Sequence, residues 1–290
     1  MIDLHTHSTA SDGTDEPAEL IEAASRAGLT ALAVTDHDTF AGSDAARPLA
    51  AALNLRFMPA LELSTRILEQ SDPAARNAHL LAYFPSGPTP EFREWLESLR
   101  TRRRARNRRL AERLQALGLE VTLEEAEAHG RNITGRPHFA RVLRDKGYVR
   151  DWEEAFSRYL GERGAAYVER EDPTAAEGLG RVRAAGGVAS LAHLCRMGKF
   201  DEPGQEELLL RSLVDAGLGA IEIWHSDHEA RHVARYNEYA RQFCLVRTGG
   251  SDYHGANKRE VQLGCGRLGP LPIPLSVFDD LCEAAVHSEG

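Results

Sequence analysis

The stretch Ile2-Asp3-Leu4-His5-Thr6-His7-Ser8 joins an apolar start to two histidines two positions apart. On an extended strand residues i and i+2 face the same side, so His5 and His7 reach toward one point. Two imidazoles on one strand face can hold a single metal ion. Alone the pattern says little, because twelve histidines in 290 residues would give about half an HxH by chance. The residues further along the chain decide its meaning.

Ile2–His5 is the first of seven short apolar runs. The others are Ala31–Thr35, Phe57–Leu63, Ala78–Tyr83, Gly187–Ala192, Ala220–Trp224 and Phe243–Thr248. Helical patterns alternate with several of them: Pro17–Ala27 closed by Gly28, then Ala175–Ala185, Gln205–Ala216 and Glu229–Arg241. Strand, helix and strand at this spacing predict parallel β/α units, and seven such strands favour a closed barrel over an open sheet. From Pro90 to about Pro173 the pattern is helical instead. Trp95, Leu96, Leu99, Leu110, Leu114 and Leu117 recur at helical spacing up to Gly118, and Val121–His129, Pro137–Gly147 and Asp151–Gly161 follow as further helices. The chain is therefore expected to divide into residues 1–89, the first part of an α/β barrel, residues 90–173, an inserted helical domain, and residues 174–290, the rest of the barrel.

Histidine, aspartate or glutamate stands at or near the C-terminal end of each expected strand. Asp12 follows the first in the turn Ser11-Asp12-Gly13, and Thr35-Asp36-His37-Asp38 follows the second. Glu62 lies in the third and His79 opens the fourth. His193 ends the fifth, Glu222 and His225 the sixth, and Asp252 and His254 the last. In β/α barrels that face carries the active site. A carboxylate such as Glu62 in an apolar strand needs a partner, since burying it charged and alone is costly. Imidazoles and carboxylates without cysteine suit manganese, zinc or iron in a hydrolytic site. His5, His7, His37, His79, His193 and His254, with Asp12, Glu62 and Asp252, would supply two or three ions.

The ordered set Asp3-Leu4-His5-Thr6-His7-Ser8, Thr35-Asp36-His37-Asp38, the Glu62 strand, His79, Ala192-His193 and Gly250-Ser251-Asp252-Tyr253-His254-Gly255 resembles the motifs of the PHP family, the polymerase-and-histidinol-phosphatase metal phosphoesterases. The resemblance covers the chain outside the helical insertion. It implies a distorted (β/α)7 barrel with up to three metal ions, manganese first and zinc or iron(II) otherwise. Carried over, it implies that His5, His7, Glu62 and Asp252 hold one ion and that Glu62 bridges to a second held by His79 and His193. Asp12, His37 and His254 would hold the third. The insertion, Thr134-Gly135-Arg136-Pro137-His138-Phe139 and Ala192-His193-Leu194-Cys195-Arg196 narrow the likeness to a subgroup of 3′,5′-nucleoside bisphosphate phosphatases and short-RNA 5′–3′ exonucleases. Subgroup members often have proline where this chain has Leu194.

Two ions sharing Glu62 would bring the pKa of a bridging water near neutrality and give a hydroxide for direct attack on phosphorus. His225, Asp252 and His254 are the candidate catalytic side chains, with His225 the first choice as proton donor to the leaving oxygen. Glu222 reads equally as a buried structural acid. Arg100-Thr101-Arg102-Arg103-Arg104-Ala105-Arg106-Asn107-Arg108-Arg109 is a basic helical run whose arginines mostly make a solvated face. Arg103, Arg106 and Asn107 share the stripe of Leu99, Leu110 and Leu114, so they should face the barrel, with Arg104 at its edge. Arg136 precedes a proline-started helix, where free N–H groups favour anions. Asp12, His37, Arg103, Arg104, Asn107, Thr134, Arg136, Arg196, Lys199, His225 and His254 form the expected substrate-binding set.

The expected reaction is removal of the 3′-phosphate from a nucleoside 3′,5′-bisphosphate, such as adenosine 3′,5′-bisphosphate to AMP. The rival is 5′–3′ exonuclease action on short 5′-phosphorylated RNA. A histidinol-phosphate phosphatase fits an arginine clamp less well, a metal amidohydrolase would not need it, and a non-catalytic binding module would not need nine filled ligand positions. The formal charge of −9 argues against a broad duplex-nucleic-acid surface. No run approaches a membrane span and no basic, apolar leader precedes Ile2. Four separated cysteines without a CxxC pair read as reduced thiols of a cytoplasmic protein.

Overall fold

The computed structural model describes residues 1–69, 72–130, 133–198, 200, 204–267 and 269–287. The chain divides into two compact units, Met1–Arg93 with Pro173–Gly290, and Glu94–Asp172.

In the first unit β1 (Ile2–Asp3), β2 (Ala31–Val34), β3 (Arg56–Glu69), β4 (Asp72–Tyr83), β5 (Val188–Leu191), β6 (Ala220–His225) and β7 (Val246–Gly250) form one sheet in sequence order. The last strand returns to the first. The Leu4 N–H donates to the Gly249 carbonyl at 3.2 Å, Asp252 N–H to His5 O at 2.8 Å and His7 N–H to Tyr253 O at 2.9 Å, so the sheet nearly closes into a barrel. Gly250 permits that closure, since a Cβ there would stand 2.3 Å from the backbone nitrogen of His5.

The expectation of parallel units throughout fails at the fourth strand. β3 pairs antiparallel with β4, and β4 antiparallel with β5, while the other neighbours are parallel. Only two residues separate β3 from β4, and a parallel crossover needs a dozen or so. His79 therefore does not open a strand but lies well inside β4. Because β4 runs backwards, His79 pairs with Ser64 and its carbonyl accepts the Ala192 N–H, level with the C-terminal ends of the parallel strands.

Helices α1 (Pro17–Arg26) and α2 (Ala41–Ala52) pack on β2 through a core that includes Leu20, Ile21, Ala24, Leu32, Val34, Ala46 and Ala50. Sequence reasoning gives no helix at α2, because Gly42 and Pro48 interrupt its pattern. α3 (Pro90–Ala116) begins in the first unit and runs into the second, which adds α4 (Leu123–Gly130), α5 (Arg136–Asp145) and α6 (Trp152–Ala155), the last continued by a π-helical turn at Phe156–Leu160. This unit has its own core, including Leu110, Leu114, Val121, Phe139, Leu143 and Leu160. α7 (Ala175–Ala184), α8 (Gln205–Asp215), α9 (Ala230–Gln242) and α10 (Ser276–His287) complete the first unit. Among the described residues no helix is long and apolar enough to cross a membrane.

Candidate metal centre

The barrel mouth gathers eight side chains around Glu62, which is 1% exposed. One oxygen of Glu62, Oε1, lies 2.8 Å from His79 Nδ1 and 2.8 Å from His193 Nε2. The other, Oε2, lies 3.2 Å from His5 Nε2, 3.0 Å from His7 Nε2 and 3.4 Å from His37 Nδ1. Asp252 Oδ1 is 3.5 Å from the Nε2 atoms of both His5 and His7 and 3.4 Å from His254 Nδ1. At the rim, Asp12 stands 3.4 Å from His7, 3.7 Å from His37 and 3.3 Å from His254. The ligand atoms of His5, His7, Glu62 and Asp252 lie mutually within 4.8 Å, as do those of His37, Glu62 and His79, and of His7, Asp12, His37 and His254.

These residues fit divalent cations on the structure's own terms. His7 Nε2 and His37 Nδ1 are buried and make no hydrogen bond among the described residues, although a carboxylate oxygen is near each. Two ligand atoms about 2.1 Å from one ion stand about 3 Å apart, which is the spacing seen here. Burial, and then the neighbouring His254, push His7 down to about 3. Burial likewise pushes His193 down to about 4. Both are therefore neutral imidazoles with lone pairs to offer. Burial alone would raise Glu62, yet His37, His79 and His5 outweigh it and hold its carboxyl well below the usual range.

A further set of buried carboxylates holds the backbone that carries these groups. Asp3 accepts hydrogen bonds from Ser251 N–H at 2.8 Å, Ser251 Oγ at 2.6 Å and Gly264 N–H at 2.8 Å, which fixes the segment leading into Asp252. Asp36 accepts from Ser8 N–H, Ser8 Oγ and Ser11 Oγ, between 2.7 and 2.8 Å, and so sets the loop that ends in Asp12. Burial raises the pKa of both Asp3 and Asp36 despite these donors. His193 and Asp252 adopt left-handed backbone, φ 27° and 58°, which costs a non-glycine residue on the order of 1–3 kcal/mol. Neighbours must hold them there.

His225 is buried with its Nε2 3.3 Å from Asp252 Oδ2. Its Nδ1 accepts the Asp227 N–H at 3.0 Å, so in the neutral ring the proton sits on Nε2 and points to Asp252. The same Asp252 oxygen takes Arg196 Nη1 at 2.7 Å and Lys258 Nζ at 2.5 Å. Lys258 escaped the sequence analysis; its only signal was a cation four residues beyond His254. Lys199 lies outside the described residues.

In the helical unit Arg103, Arg104, Asn107 and Thr134 line one cavity of about 370 Å³, together with Arg100 and Arg108. Asn107 Nδ2 donates to the Thr134 carbonyl at 2.7 Å, while Asn107 Oδ1 and Thr134 Oγ1 are buried without a hydrogen-bond partner among the described residues. Arg104 pairs with Glu127 at 2.7 Å and Arg103 with Asp172 at 3.5 Å. Arg106, which shares the apolar stripe as expected, is 7% exposed. Burial, followed by the adjacent Arg103 guanidinium, lowers it to about 10. Arg136 stands elsewhere in this unit, over the rings of Phe156 and Tyr167 and 3.3 Å from the Leu160 carbonyl.

A nearly closed barrel with imidazoles and carboxylates at its mouth defines a hydrolase of the divalent-metal kind. The PHP domain profile matches residues 3–160, and the chain belongs to that family of phosphoesterases. It is 35% identical to the phosphoribosyl 1,2-cyclic phosphate 1,2-diphosphodiesterase of Eggerthella lenta, over 90% of this chain and 97% of that one. It is 30% identical to the 3′,5′-nucleoside bisphosphate phosphatase of Chromobacterium violaceum, over 90% of each. With a 5′–3′ exoribonuclease of Haemophilus influenzae it shares 29% identity over 87% of this chain and 89% of that one. Among solved structures, a proposed metal-dependent phosphoesterase of Bifidobacterium adolescentis superposes with a TM-score of 0.77 at 26% identity, covering 98% of this chain and 96% of that one.

Proposed function

We propose that this phosphoesterase removes the 3′-phosphate from nucleoside 3′,5′-bisphosphates. The observation that carries the choice is the arginine-lined cavity of the helical unit, with its excess of guanidinium groups and with buried Asn107 and Thr134 oxygens that have no hydrogen-bond partner among the described residues. A substrate with a second, unreacting phosphate would use such a pocket, and a simple monoester would not. Arg103, Arg104, Asn107 and Thr134 are assigned to phosphate binding in that cavity, and Arg136, which stands outside it, to a further substrate contact. The three relatives are named for a phosphoribosyl cyclic phosphate, for RNA and for nucleoside bisphosphates, all of them phosphate esters.

At the barrel, His5, His7, Asp12, His37, Glu62, His79, His193, Asp252 and His254 would hold two or three divalent ions, manganese first and zinc or iron(II) as alternatives. Such ions, when bound, ionise water near neutral pH and offset phosphoryl charge. The protein's own groups do the rest. Arg196 and Lys258 stand beside Asp252 as cations for phosphoryl oxygens, where fixed charge favours the transition state. His225 holds a proton on Nε2 for the leaving oxygen, with His254 at the rim as the other candidate. Four free cysteines fit a reducing compartment, and we assign the enzyme to the cytoplasm.

The test is a comparison of kcat/KM, with manganese supplied, for adenosine 3′,5′-bisphosphate, a 5′-phosphorylated diribonucleotide and a phosphoribosyl 1,2-cyclic phosphate. Fastest turnover of the bisphosphate is expected. A faster dinucleotide would make the protein an exonuclease, as the Haemophilus influenzae relative favours. A faster cyclic ester would place it with the Eggerthella lenta relative.

A further inference from the structure

Glu222, at the centre of β6, is fully buried, and its two oxygens have different partners. Oε1 lies 2.9 Å from His5 Nδ1, and Oε2 accepts the backbone N–H of His193 at 2.7 Å. These are the two histidines that address opposite oxygens of Glu62, His5 through Oε2 and His193 through Oε1. We propose that Glu222 is a positioning residue that sets the tautomer of His5 with one oxygen and locks the backbone of His193 with the other, and so fixes both sides of the Glu62 bridge. The proposal rests on the reading of the barrel mouth as a metal centre.

A carboxylate whose Oε2 already accepts the His193 N–H at 2.7 Å presents its other oxygen, 2.9 Å from His5 Nδ1, as an acceptor too. A histidine facing it through Nδ1 must carry its proton there. When the ring carries a single proton, as a metal ligand must, the lone pair of His5 is on Nε2, which is the atom 3.2 Å from Glu62 and 3.5 Å from Asp252. A ligand histidine whose other nitrogen is held by a carboxylate is a stronger and better-oriented donor. At His193 the second oxygen performs a different task. That residue sits at φ 27°, a conformation it would leave unless its N–H were anchored, and Glu222 supplies the anchor. One side chain on β6 thus aligns ligands from the loops after β1 and β5.

The isosteric Glu222→Gln variant separates this from simple packing. A glutamine has one acceptor oxygen and one donor nitrogen, so it can satisfy the His193 N–H or the His5 Nδ1–H but not both. With the oxygen on His193, its NH2 faces His5 Nδ1, and the His5 proton must move to Nε2, against the ligand side. Three measurements apply: manganese binding by calorimetry, the metal content per chain, and the tautomer of neutral His5 in the metal-free protein, by nitrogen-15 NMR of labelled imidazoles at a pH high enough for the ring to carry one proton. Wild type should show His5 protonated on Nδ1. In the variant the Nε2-protonated form should appear, manganese affinity should fall about 10- to 100-fold at unchanged stoichiometry, and Glu222→Asp, which keeps both acceptors, should recover part of it.

Wild-type affinity in the glutamine variant would overturn the proposal. So would loss of one whole ion per chain, which would make Glu222 a ligand. The wild-type tautomer needs no variant to fold, and a neutral His5 protonated on Nε2 there would overturn it alone. If wild type binds no divalent ion, the metal reading fails, while the tautomer still decides what Glu222 does.

Discussion

Gly42→Ala tests how α2 supports the metal centre. Helix propensity alone makes alanine better than glycine by up to about 1 kcal/mol. The structure predicts the opposite sign. A Cβ at position 42 would stand 1.8 Å from Asp36 Oδ2 and 2.5 Å from Ser8 Oγ, far inside any tolerable contact. Neither atom is a loose end, because Asp36 is buried and tied to Ser8 and Ser11 by three hydrogen bonds. Either α2 retreats or Asp36 swings out and gives up its donors. Hydrogen bonds to a charged acceptor contribute about 1.5–3 kcal/mol each. Losing two of them would outweigh the propensity gain by about 2–5 kcal/mol, a fall in melting temperature of roughly 3–8 °C for a protein of this size. The assay is thermal unfolding by circular dichroism at one fixed metal concentration, since bound ions shift the midpoint. In an Asp36→Ala background the same change should cost less, because the nearer obstacle is gone and Ser8 Oγ, no longer tied to Asp36, can rotate away. A Gly42→Ala midpoint at or above wild type, or an equal loss in both backgrounds, would refute the reasoning.

Two other perturbations address the site and its edge. His7→Ala and Glu62→Ala should each bring phosphoester turnover below detection with the far-ultraviolet spectrum intact, and treatment of wild type with a chelator should do the same until manganese is restored; a near-wild-type rate in either variant would remove those residues from the site. Asp227 titrates with a clear sign. Burial would raise its carboxyl, but Arg267 and then Arg196 outweigh that and hold it at about 2, below the ordinary 3.8. Its contribution to stability is therefore complete above pH 3.8 and is lost as pH falls toward 2. Asp227→Asn should lower stability at pH 6 and unfold with a shallower dependence between pH 4 and 2; acid curves of equal slope for the two proteins would refute it.

The sequence was most readable where periodicity and chemistry coincided. The apolar strands ended in residues that have no place in a core unless they converge, and His5, His7, Glu62, His193 and Asp252 do converge. The features that stayed hidden depended on neighbours remote in sequence. The antiparallel β3–β4 pair looks like two more strands of a parallel series, because the apolar runs Phe57–Leu63 and Ala78–Tyr83 leave room for a crossover, whereas the strands themselves extend to within two residues of each other. α2 was masked by Gly42, whose missing Cβ lets a helix approach Asp36 closely, and by Pro48. Lys258 carries no local pattern at all. Its role depends on the loop after β7 folding back so that one ammonium meets Asp252.

The buried carboxylates explain why the fold can carry so much strain and charge in one place. Asp3, Asp36 and Glu222 each direct their oxygens to backbone or side-chain donors of a segment that bears a candidate ligand: Asp3 to Ser251, Asp36 to Ser8 and Ser11, Glu222 to His5 and His193. Without such acceptors the left-handed backbone at His193 and Asp252 would relax toward ordinary conformations, and the distances around Glu62 would spread. A divalent centre tolerates little spreading, because ligand atoms must meet within a few tenths of an ångström. The acidic net charge of the chain thus includes groups that act as internal fasteners, and removing one of them should loosen ligands it never touches through the metal.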